Sequence, residues 1–478
     1  MKTITIFYDE ESGEMFFEGV SSRMNSRNDD PLIQREYEKI VGPASKMIIY
    51  NAIKKSNSVF FNYIHRSILK KGKLSKKEGV VRLLGLLPMM GYGVVELADW
   101  DEDKGMFKVN VRNCYNAIVY EDSRKPVCYK MSAKLAALFE VVFGRKADCS
   151  ESVCLAMPEY DHCEFEIKLS DEGIGEIGMP YNIQKDSKEY KELELLFDED
   201  KGEIIFEKSS SAIIPREEQP AIKREFENII GITADTIAHD VAKYATIEAV
   251  SSIQKVIIKP VGALSKRRII FELLKQLPRR GYGIPELTSY DEENLLFRVR
   301  VKNSFDVVGY RYSDKPVCSV MSGVFAGDTE EVFKREMECI ETKCMAMGDP
   351  YCEFEVFEKK RMEKLYDILR DLMSIGDIDG SLIMARDGTL LASYLPENIN
   401  AERVAMMAST VAGSARRVND ELDRESVNRI TVETDEAKLI ITRTGENADL
   451  IVITKSDIYL GLIFAGMMDI TKRIEREI

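Results

Sequence analysis

The sequence lacks the features that mark membrane and secreted proteins. No apolar run approaches the roughly 18 residues that a membrane span needs. The first residues, MKTITIFYDEESGEMFF, alternate like a strand and do not show the basic-then-apolar layout of a signal peptide. We therefore expect a cytoplasmic protein without a membrane span.

Concentrated positive charge is lacking as well. The 478 residues include 67 Lys and Arg against 81 Asp and Glu, which gives a formal net charge of −14. Because phosphate binding needs a concentrated positive surface, no generic affinity for nucleic acid is expected. Small basic clusters at 70–77 and 266–268 are interpreted as solvated entries to helices.

Recognisable catalytic machinery is also missing. Only three histidines occur, His65, His162 and His239. The two Gly-Tyr-Gly segments leave a helix and enter a strand, the reverse of a dinucleotide fingerprint, and no serine sits in a nucleophile elbow. No flavin, nicotinamide or iron–sulfur signature is present to supply electrons. Enzymatic activity stays uncertain, and the sequence does not favour it.

What the sequence does contain is an internal repeat. IFYDEESGEMFFEG, starting at Ile6, matches LLFDEDKGEIIFEK, starting at Leu195, and helices, Gly-Tyr-Gly segments and hairpins follow in the same order. We predict a first domain over 1–170 and a second over 191–358. The linker between them, 171–190, is rich in glycine and charge.

Local signals place the helices within each copy. Ser75 and Glu78 make a capping box at the start of an amphipathic helix. Pro126 and Pro316 stand in the two KPVC segments, just before another helix. Since the fixed φ of proline suits a first turn, both prolines are expected in that turn.

Each copy carries three cysteines and one glutamate in matching register. The sets are Cys128, Glu151, Cys154 and Cys163 in the first copy, and Cys318, Glu341, Cys344 and Cys352 in the second. Nine cysteines without a secretory signal favour reduced thiols and metal ligation over disulfides. Sulfur donors favour zinc over magnesium or calcium, and a filled four-ligand shell favours a structural role. We predict one zinc ion in each copy.

The spacing of these residues sets conditions on the local structure. Cys318 is expected to open a helix, Glu341 and Cys344 to lie on an incoming strand, and Cys352 on the next strand. A spacing of three puts two residues on opposite faces of a regular strand, so a bulge or an irregular strand end is required. Three thiolates and a carboxylate overcompensate the two charges of zinc. Hydrogen bonds from backbone amides of the turn are therefore expected.

Other interpretations of the cysteines stay open. They could be small buried core residues. Cys149 and Cys339 each stand two residues before the glutamate, on the same strand face, and either could replace it as a ligand. His162 could serve as a fallback ligand or lie on a loop surface. Cys114 corresponds to Ser304 in the second copy, so the repeat does not mark it as a ligand.

From about residue 361 the chain no longer follows the repeat. Its pattern predicts a helix, two strands, a helix, three strands and a closing helix. Asp387-Gly388 is a hairpin signal, the long middle helix covers about 400–422, and the closing helix covers about 459–478. This order predicts a C-terminal domain over 361–478 with one five-stranded antiparallel sheet and flanking helices. The fold class is α+β, with two repeated domains of helices on antiparallel sheets preceding that domain.

The segments KPVC, GVFAG and ECIETKCMAMGDPYCEFEV resemble the 4-vinyl reductase domain family, which is related to subunits of the TRAPP trafficking complex. The resemblance implies a helical bundle against an antiparallel sheet, often with an apolar cavity for a small hydrophobic or aromatic molecule beside a structural zinc site. The family occurs in sensors of bacterial regulators of aromatic catabolism. The resemblance places the zinc ligands on the eight Cys and Glu residues named above.

The first copy departs from the family pattern. Ala133 and Ala137 stand where Gly323 and Gly327 occupy the second copy, and its loop MPEYDH is one residue longer. We therefore expect the first copy to bind metal less well than the second, or to serve as a scaffold.

The C-terminal part resembles the roadblock / dynein light chain family. The resemblance rests on IDGSLIMARDGTLLAS, on DLIVITKSDIYLGLIF, and on the long helix with Ala405, Met407, Ala408, Val411 and Ala412. It implies a homodimer formed through the long helix and the sheet edge, and frequently a partnership with small Ras-like GTPases. The apolar helix face could instead be ordinary core.

Three functions follow as hypotheses. The first is a cytoplasmic zinc-containing sensor that binds a small apolar or aromatic molecule and dimerises or signals through its C-terminal domain. The second is a TRAPP-like interaction scaffold that regulates a small Ras-like GTPase. The third is an enzyme that reduces a vinyl group of a tetrapyrrole.

Overall fold

The computed structural model describes most of the chain. The residues outside the description are 70–71, 73, 121, 186–187, 232, 254–264, 311, 374–377, 387, 397–398, 423–426, 446 and 458–459. The predicted hairpin residue Asp387, part of the basic cluster at 70–77 and the predicted start of the closing helix at Tyr459 thus lie outside it. Among the described helices, none combines the length and the apolar character needed to cross a membrane.

The described part of the chain forms two compact units. The first comprises Met1–Ile229, Tyr244–Gly262 and Glu272–Ile284. The second comprises Ile230–Lys243, Ala263–Phe271 and Pro285–Ile478.

The first copy of the repeat alternates short strands with helices. In chain order its elements are β1 (Lys2–Asp9), β2 (Glu14–Phe17), β3 (Val20–Ser26), α1 (Asp29–Val41), α2 (Ser45–Leu69), α3 (Lys76–Leu84), α4 (Leu86–Met89), β4 (Val94–Asp101), β5 (Met106–Arg112), α5 (Tyr129–Phe143), β6 (Arg145–Val153) and β7 (His162–Gly173). The capping box at the start of α3 is confirmed. The Glu78 N–H donates to Ser75 Oγ at 3.2 Å, and the Ser75 N–H donates to the Glu78 carboxylate at 2.8 Å.

The second copy repeats this order, except that the single helix α8 (Lys266–Arg279) stands where the first copy has α3 and α4. Its elements are β8 (Lys191–Asp198), β9 (Glu203–Phe206), β10 (Ser209–Pro215), α6 (Glu218–Ile230), α7 (Thr233–Ile253), α8 (Lys266–Arg279), β11 (Ile284–Asp291), β12 (Leu296–Lys302), α9 (Ser319–Phe333), β13 (Met337–Lys343) and β14 (Cys352–Glu358).

The prediction that Pro126 and Pro316 lie in the first turn of a helix is wrong. Helices α5 and α9 begin only after Cys128 and Cys318, whose ψ angles of 40° and 45° are not helical. The first helical hydrogen bonds run to the carbonyls of these cysteines, from the N–H groups four residues later, at 3.0 Å. Each cysteine is therefore the cap of its helix, and the proline precedes the cap.

The N-terminal strands of both copies form one closed barrel inside the first unit. The strand order is β1-β2-β3-β10-β9-β8, with every neighbouring pair antiparallel. Two ion pairs tie the copies together reciprocally, Arg27 with Glu203 and Arg216 with Glu14. The repeat predicts the two hairpins but does not indicate that they pair with each other.

Each copy also has a four-stranded antiparallel sheet. The orders are β4-β5-β7-β6 and β11-β12-β14-β13. Burial alternates along β5, where Phe107, Val109 and Val111 point into the core. This alternation is what a strand with one covered face requires, and α5 supplies part of that cover through the contact of Phe139 with Phe107.

The C-terminal domain has the predicted order of elements. They are α10 (Lys360–Met373), β15 (Ile378–Ala385), β16 (Leu390–Tyr394), α11 (Ala401–Glu421), β17 (Arg429–Glu433), β18 (Ala437–Thr444), β19 (Ala448–Lys455) and α12 (Leu460–Glu477). The strands form one five-stranded antiparallel sheet in the order β16-β15-β19-β18-β17.

The two faces of this sheet are covered by different helices. Leu382 and Met384 pack in a cluster with the alanines of α11. The alternate residues Ile383 and Ala385 pack with the leucines and isoleucines of α10 and α12. Successive residues of β15 thus point to opposite faces of the sheet and pack in two different cores. The α+β fold class predicted from the sequence is confirmed.

Candidate functional site

The structure brings together all eight predicted ligand residues, four in each copy. In the first copy, one potential ligand atom from each of Cys128, Glu151, Cys154 and Cys163 lies within 4.8 Å of the others. The same holds in the second copy for Cys318, Glu341, Cys344 and Cys352. Residues up to 35 positions apart along the chain are therefore gathered in the first cluster, and residues up to 34 positions apart in the second.

Equivalent elements position the members of both clusters. Cys128 and Cys318 cap α5 and α9, the glutamates lie near the ends of β6 and β13, and the last cysteines lie at the starts of β7 and β14. The strand register shifts between Glu151 and Val153 in the first copy, and between Glu341 and Lys343 in the second. These irregularities confirm the bulge that a spacing of three requires.

The distances between thiols suit a shared ion. Cys128 Sγ lies 3.8 Å from both Cys154 Sγ and Cys163 Sγ, and Cys318 Sγ lies 3.4 Å from Cys352 Sγ. A tetrahedron with Zn–S bonds of about 2.3 Å has edges of about 3.8 Å. A disulfide would bring two sulfurs to about 2.05 Å, and none of the nine cysteines, all of them buried, forms a disulfide. The clusters therefore have the dimensions of a metal site and not of a disulfide.

In each glutamate, one carboxylate oxygen accepts a hydrogen bond and the other has no hydrogen-bond partner within the described chain. Glu151 Oε2 accepts the Cys128 N–H, and Glu341 Oε2 accepts the Cys318 N–H, both at 2.7 Å. Glu151 Oε1 and Glu341 Oε1 are buried and have no hydrogen-bond partner within the described chain. An unsatisfied buried oxygen is costly, and a cation beside it would remove that cost. The donor set thus fits a metal ion.

Burial and neighbouring thiols shift the pKa values of side chains in the clusters. Burial, followed by the charge of Cys154, raises the pKa of Glu151 to about 9. Hydrogen bonds from Cys318 and Cys352 lower the pKa of Cys344 to about 3. A bound cation would favour the ionised form of every member, and metal binding would release protons.

Backbone amides of the turn support the last cysteine of each cluster. The Leu155 N–H donates to Cys163 Sγ at 3.3 Å, and the Met345 N–H donates to Cys352 Sγ at 3.4 Å. Such donors spread the negative charge of a thiolate ligand. The hydrogen bonds expected from the turn are thus confirmed.

The three alternative ligands lie outside the clusters. Neither Cys149 nor Cys339 belongs to a group of described residues that could hold a metal. His162 has its Nδ1 2.8 Å from the exposed Asp161 carboxylate and is itself partly exposed. It is the first residue of β7 and belongs to neither group of described residues that could hold a metal.

Cys114 is buried in the same hydrophobic core as Cys128 and Cys163, but it does not belong to the group of described residues that could hold a metal. Ser304 occupies the matching position of the second copy.

A cavity of about 290 Å³ lies beside the second cluster, within the second unit. Its walls come from α7, α9 and β13 of the second copy and from β16 and α11 of the C-terminal domain. Glu341 of the cluster is part of its lining, and Leu390, Leu391 and Met406 contribute apolar surface. This volume is at the small end of ligand pockets, which hold about 300–1,000 Å³.

A hydrogen-bonded group forms the polar wall of this cavity. His239 Nδ1 lies 2.9 Å from Ser322 Oγ, and His239 Nε2 lies 3.3 Å from Glu338 Oε2. Burial raises the pKa of Glu338, but hydrogen bonds and charge from His239 and Lys243 outweigh it and lower this pKa to about 2. The wall therefore presents an ionised carboxylate held by two basic groups.

Gly323 explains how α7 comes close enough to place His239. A Cβ atom at Gly323 would lie 2.2 Å from the carbonyl oxygen of His239, closer than any side chain permits. The second copy has Gly323 where the first has Ala133, and this glycine lets α9 and α7 approach closely in the second copy.

Family models match three segments of the chain. The model of the 4-vinyl reductase domain matches residues 107–169 and 297–358. The model of the Roadblock/LC7 domain matches residues 364–454. The two 4-vinyl reductase matches begin and end on the sheets that carry the Cys and Glu clusters.

Several curated relatives come from Methanocaldococcus jannaschii, and all are uncharacterized proteins. One is 31% identical over 115 residues, which are 24% of this chain and 97% of that protein. Two others are each 32% identical over 108 residues, which are 23% of this chain and 94% of each protein.

Three solved structures, each from a different kind of protein, resemble part of this chain. A vinyl-4-reductase family protein from Methanocaldococcus jannaschii shows 20% identity, covers 25% of this chain and 67% of its own, and has a TM-score of 0.19. A Roadblock/LC7 domain from Streptomyces avermitilis shows 17% identity, 23% and 94% coverage, and a TM-score of 0.23. The phenol-responsive sensory domain of the transcription activator PoxR shows 14% identity, 35% and 85% coverage, and a TM-score of 0.30. All three TM-scores are below 0.5, so these structures do not bear on function.

Proposed function

Because this chain belongs to the 4-vinyl reductase domain and Roadblock/LC7 families, with two 4-vinyl reductase domains followed by one Roadblock/LC7 domain, we propose that it is a zinc-containing regulatory protein. In this proposal a small molecule binds to it, and the roadblock domain carries the signal onward. The observation that carries the proposal is the cavity, because residues of the second 4-vinyl reductase copy and of the roadblock domain line it together.

Zinc is proposed as a structural ion in each 4-vinyl reductase copy. Cys318, Cys344, Cys352 and Glu341 would hold it in the second copy, and Cys128, Cys154, Cys163 and Glu151 would hold it in the first. Support comes from the thiol spacing and from the unpartnered carboxylate oxygens. The ion would fix the start of α9 to β13 and β14, and α9 and β13 also form walls of the cavity. The presence of nine cysteines that form no disulfide supports the proposed cytoplasmic location.

The cavity gives a ligand both apolar and polar contacts. Leu390, Leu391 and Met406 offer an apolar surface, while His239 and Glu338 offer a hydrogen-bonding one. A small molecule seated there would touch both domains. Its binding would therefore favour one arrangement of the roadblock domain against the second 4-vinyl reductase copy over others, which is the requirement for a signal.

Filling the cavity is expected to abolish ligand binding. Leu390→Trp places an indole in the cavity, and native mass spectrometry of gently purified protein should then lose the extra small-molecule mass that wild type carries. Leu196→Trp is the matched control, because Leu196 is exposed on β8, away from the cavity. Wild-type protein without any added mass, or a Leu390→Trp protein that retains it, would contradict the proposal.

We propose that the roadblock domain forms a homodimer through α11. Met407, Val411 and Val418 are exposed and recur at helical spacing on this helix, whereas Ala405, Ala408 and Ala412 face its own sheet. An exposed apolar stripe of this kind is typical of an interaction surface. The outer strand β17, which pairs only with β18 among the described strands, lies at one edge of the same sheet.

Charges on this stripe are expected to separate the dimer. Met407→Glu combined with Val411→Glu places two carboxylates in the interface, and light scattering during size exclusion should show the monomer mass instead of twice that mass. Met468→Glu, on the exposed face of α12, is the control and should remain dimeric. A wild-type monomer would count against the dimer and favour the alternative that α11 binds a small Ras-like GTPase.

A further inference from the structure

The cavity beside the second cluster has a lining rich in carboxylates, all of them within the second unit. They belong to Asp235, Asp240, Glu338 and Glu341. Against them, the described lining has one histidine, His239, and one lysine, Lys359. The polar part of the wall therefore carries more acidic than basic groups.

Three of these carboxylates already have partners. Asp235 forms an ion pair with Lys315. Glu338 lies 3.0 Å from the ammonium nitrogen of Lys243. Glu341 belongs to the second cluster and would be compensated by the proposed metal ion. The charges of these three groups are thus accounted for without a ligand.

Asp240 is the carboxylate of the lining that has no such partner. Its side chain is partly buried, and it makes no hydrogen bond and no ion pair with another residue of the described chain. Burial raises the pKa of Asp240 above its ordinary value, although the charge of His239 acts in the opposite direction. A partly buried carboxylate without a cation costs free energy. A positively charged group in the cavity would remove this cost.

A metal ion does not account for Asp240. This residue belongs to no group of described residues that could hold a metal, since the two such groups are the Cys and Glu clusters. The cavity measures about 290 Å³, and Leu390, Leu391 and Met406 add apolar surface to it. An organic cation suits such a site, because its charged end can meet the carboxylate while its apolar part packs on these side chains.

A serine of the same lining offers a further hydrogen-bond acceptor. Ser319 is the first residue of α9, and its Oγ is buried without a hydrogen-bond partner in the described part of the chain. A protonated amine has several N–H groups to donate, so it can bond to a carboxylate and still seek other acceptors. An amine therefore matches the polar groups of the wall better than a cation without N–H groups does.

We propose that the cavity binds a small molecule that carries a protonated amine, with its ammonium group on Asp240 and its apolar part against Leu390, Leu391 and Met406. This inference rests on the proposed function and names the chemical class of its ligand. A neutral or anionic molecule of the same shape would leave the charge of Asp240 uncompensated.

Isothermal titration calorimetry of the full chain with three probes of similar shape tests this proposal. Benzylamine is a cation at neutral pH, benzyl alcohol is neutral, and benzoate is an anion. Benzylamine should bind about tenfold more tightly than benzyl alcohol, because a hydrogen bond between charged groups is roughly twice as strong as a neutral one. Benzoate should bind most weakly, whereas it would be favoured if Lys359 were the group that the ligand meets.

Asp240→Asn removes the charge and keeps the shape of the side chain. In this variant benzylamine and benzyl alcohol should bind with similar affinity. Asp367→Asn is the matched control, because Asp367 is an exposed carboxylate of α10 that does not line the cavity, and it should keep the full preference for benzylamine. Leu390→Trp should abolish binding of all three probes.

The ranking of the probes on wild type needs no variant, so the test holds even where Asp240→Asn does not fold. Benzyl alcohol or benzoate binding as tightly as benzylamine, or a preference that survives in Asp240→Asn, would overturn the amine and leave the cavity as a ligand site. Absence of binding by all three probes would overturn the amine as well. The proposed function fails with it when wild type also carries no small-molecule mass.

Discussion

Cys344→Ser protein is expected to unfold at a much lower temperature than wild type. The side chain belongs to the same cluster as Cys318 and Cys352, and Cys344 lies where β13 ends, so a metal held there would clamp α9 to two strands. Structural zinc contributes about 10–16 kcal/mol in zinc-finger peptides. In a larger domain with its own core we expect a loss of at least about 3 kcal/mol in the free energy of unfolding.

Thermal unfolding with and without a chelator measures this effect. Wild type should lose stability when the chelator is added and regain it with zinc, whereas Cys344→Ser should respond only through its intact first site. Cys339→Ala is the matched control, since Cys339 is a buried thiol on β13, outside the cluster. It should cost about 1 kcal/mol for the lost buried volume and keep the full zinc response. Equal melting temperatures for Cys344→Ser and Cys339→Ala would refute the structural role proposed for zinc in the second copy.

Lys134→Met is expected to destabilise the first unit by about 3–5 kcal/mol. The ammonium group of Lys134, on α5, pairs with the carboxylate of Glu218 at the start of α6, and both side chains are fully buried. The Asn57 amide also donates to this carboxylate, at 2.9 Å. Removing the lysine would leave the carboxylate charged, buried and without its cation.

Chemical denaturation of three variants separates this effect from loss of packing. Lys134→Met should be the least stable, and Lys134→Met with Glu218→Gln should recover part of the loss, because no unpaired charge then remains. Lys2→Met removes an exposed ion pair with Glu199 and should change stability by less than about 1 kcal/mol. A Lys134→Met protein as stable as Lys2→Met would show that this pair does not hold the fold together.

The repeat explains why the two Cys and Glu clusters could be predicted from the sequence. The Cys and Glu residues stand at matching positions in the two copies. In each copy the glutamate lies three residues before the next cysteine, and this spacing required the bulges that the strands show. The C-terminal domain was predictable for a different reason. Its strands and helices have clear periodicity, and consecutive elements pack beside one another.

Other features could not be predicted from the sequence, because a comparison of the two copies identifies only residues that both copies share. Lys134 stands where the second copy has Val324. The six-stranded barrel was hidden for another reason. Pairing between β3 and β10 joins Met24 to Ile213, and local periodicity does not record contacts at such a separation along the chain.

The cavity was hidden in a similar way. The sequence indicated a ligand site inside each repeat, whereas the described cavity also takes residues from β16 and α11 of the roadblock domain. Its shape depends on how two domains of the second unit meet. The close approach at Gly323, which places His239 in the wall, likewise depends on the packing of two helices.

Elemental analysis of purified wild type beside Cys128→Ser and Cys318→Ser tests the central claim most directly. The account predicts two zinc ions per wild-type chain and one fewer in each variant, because each variant loses one cluster. A wild-type chain that contains no metal, even after exposure to zinc under reducing conditions, would contradict it.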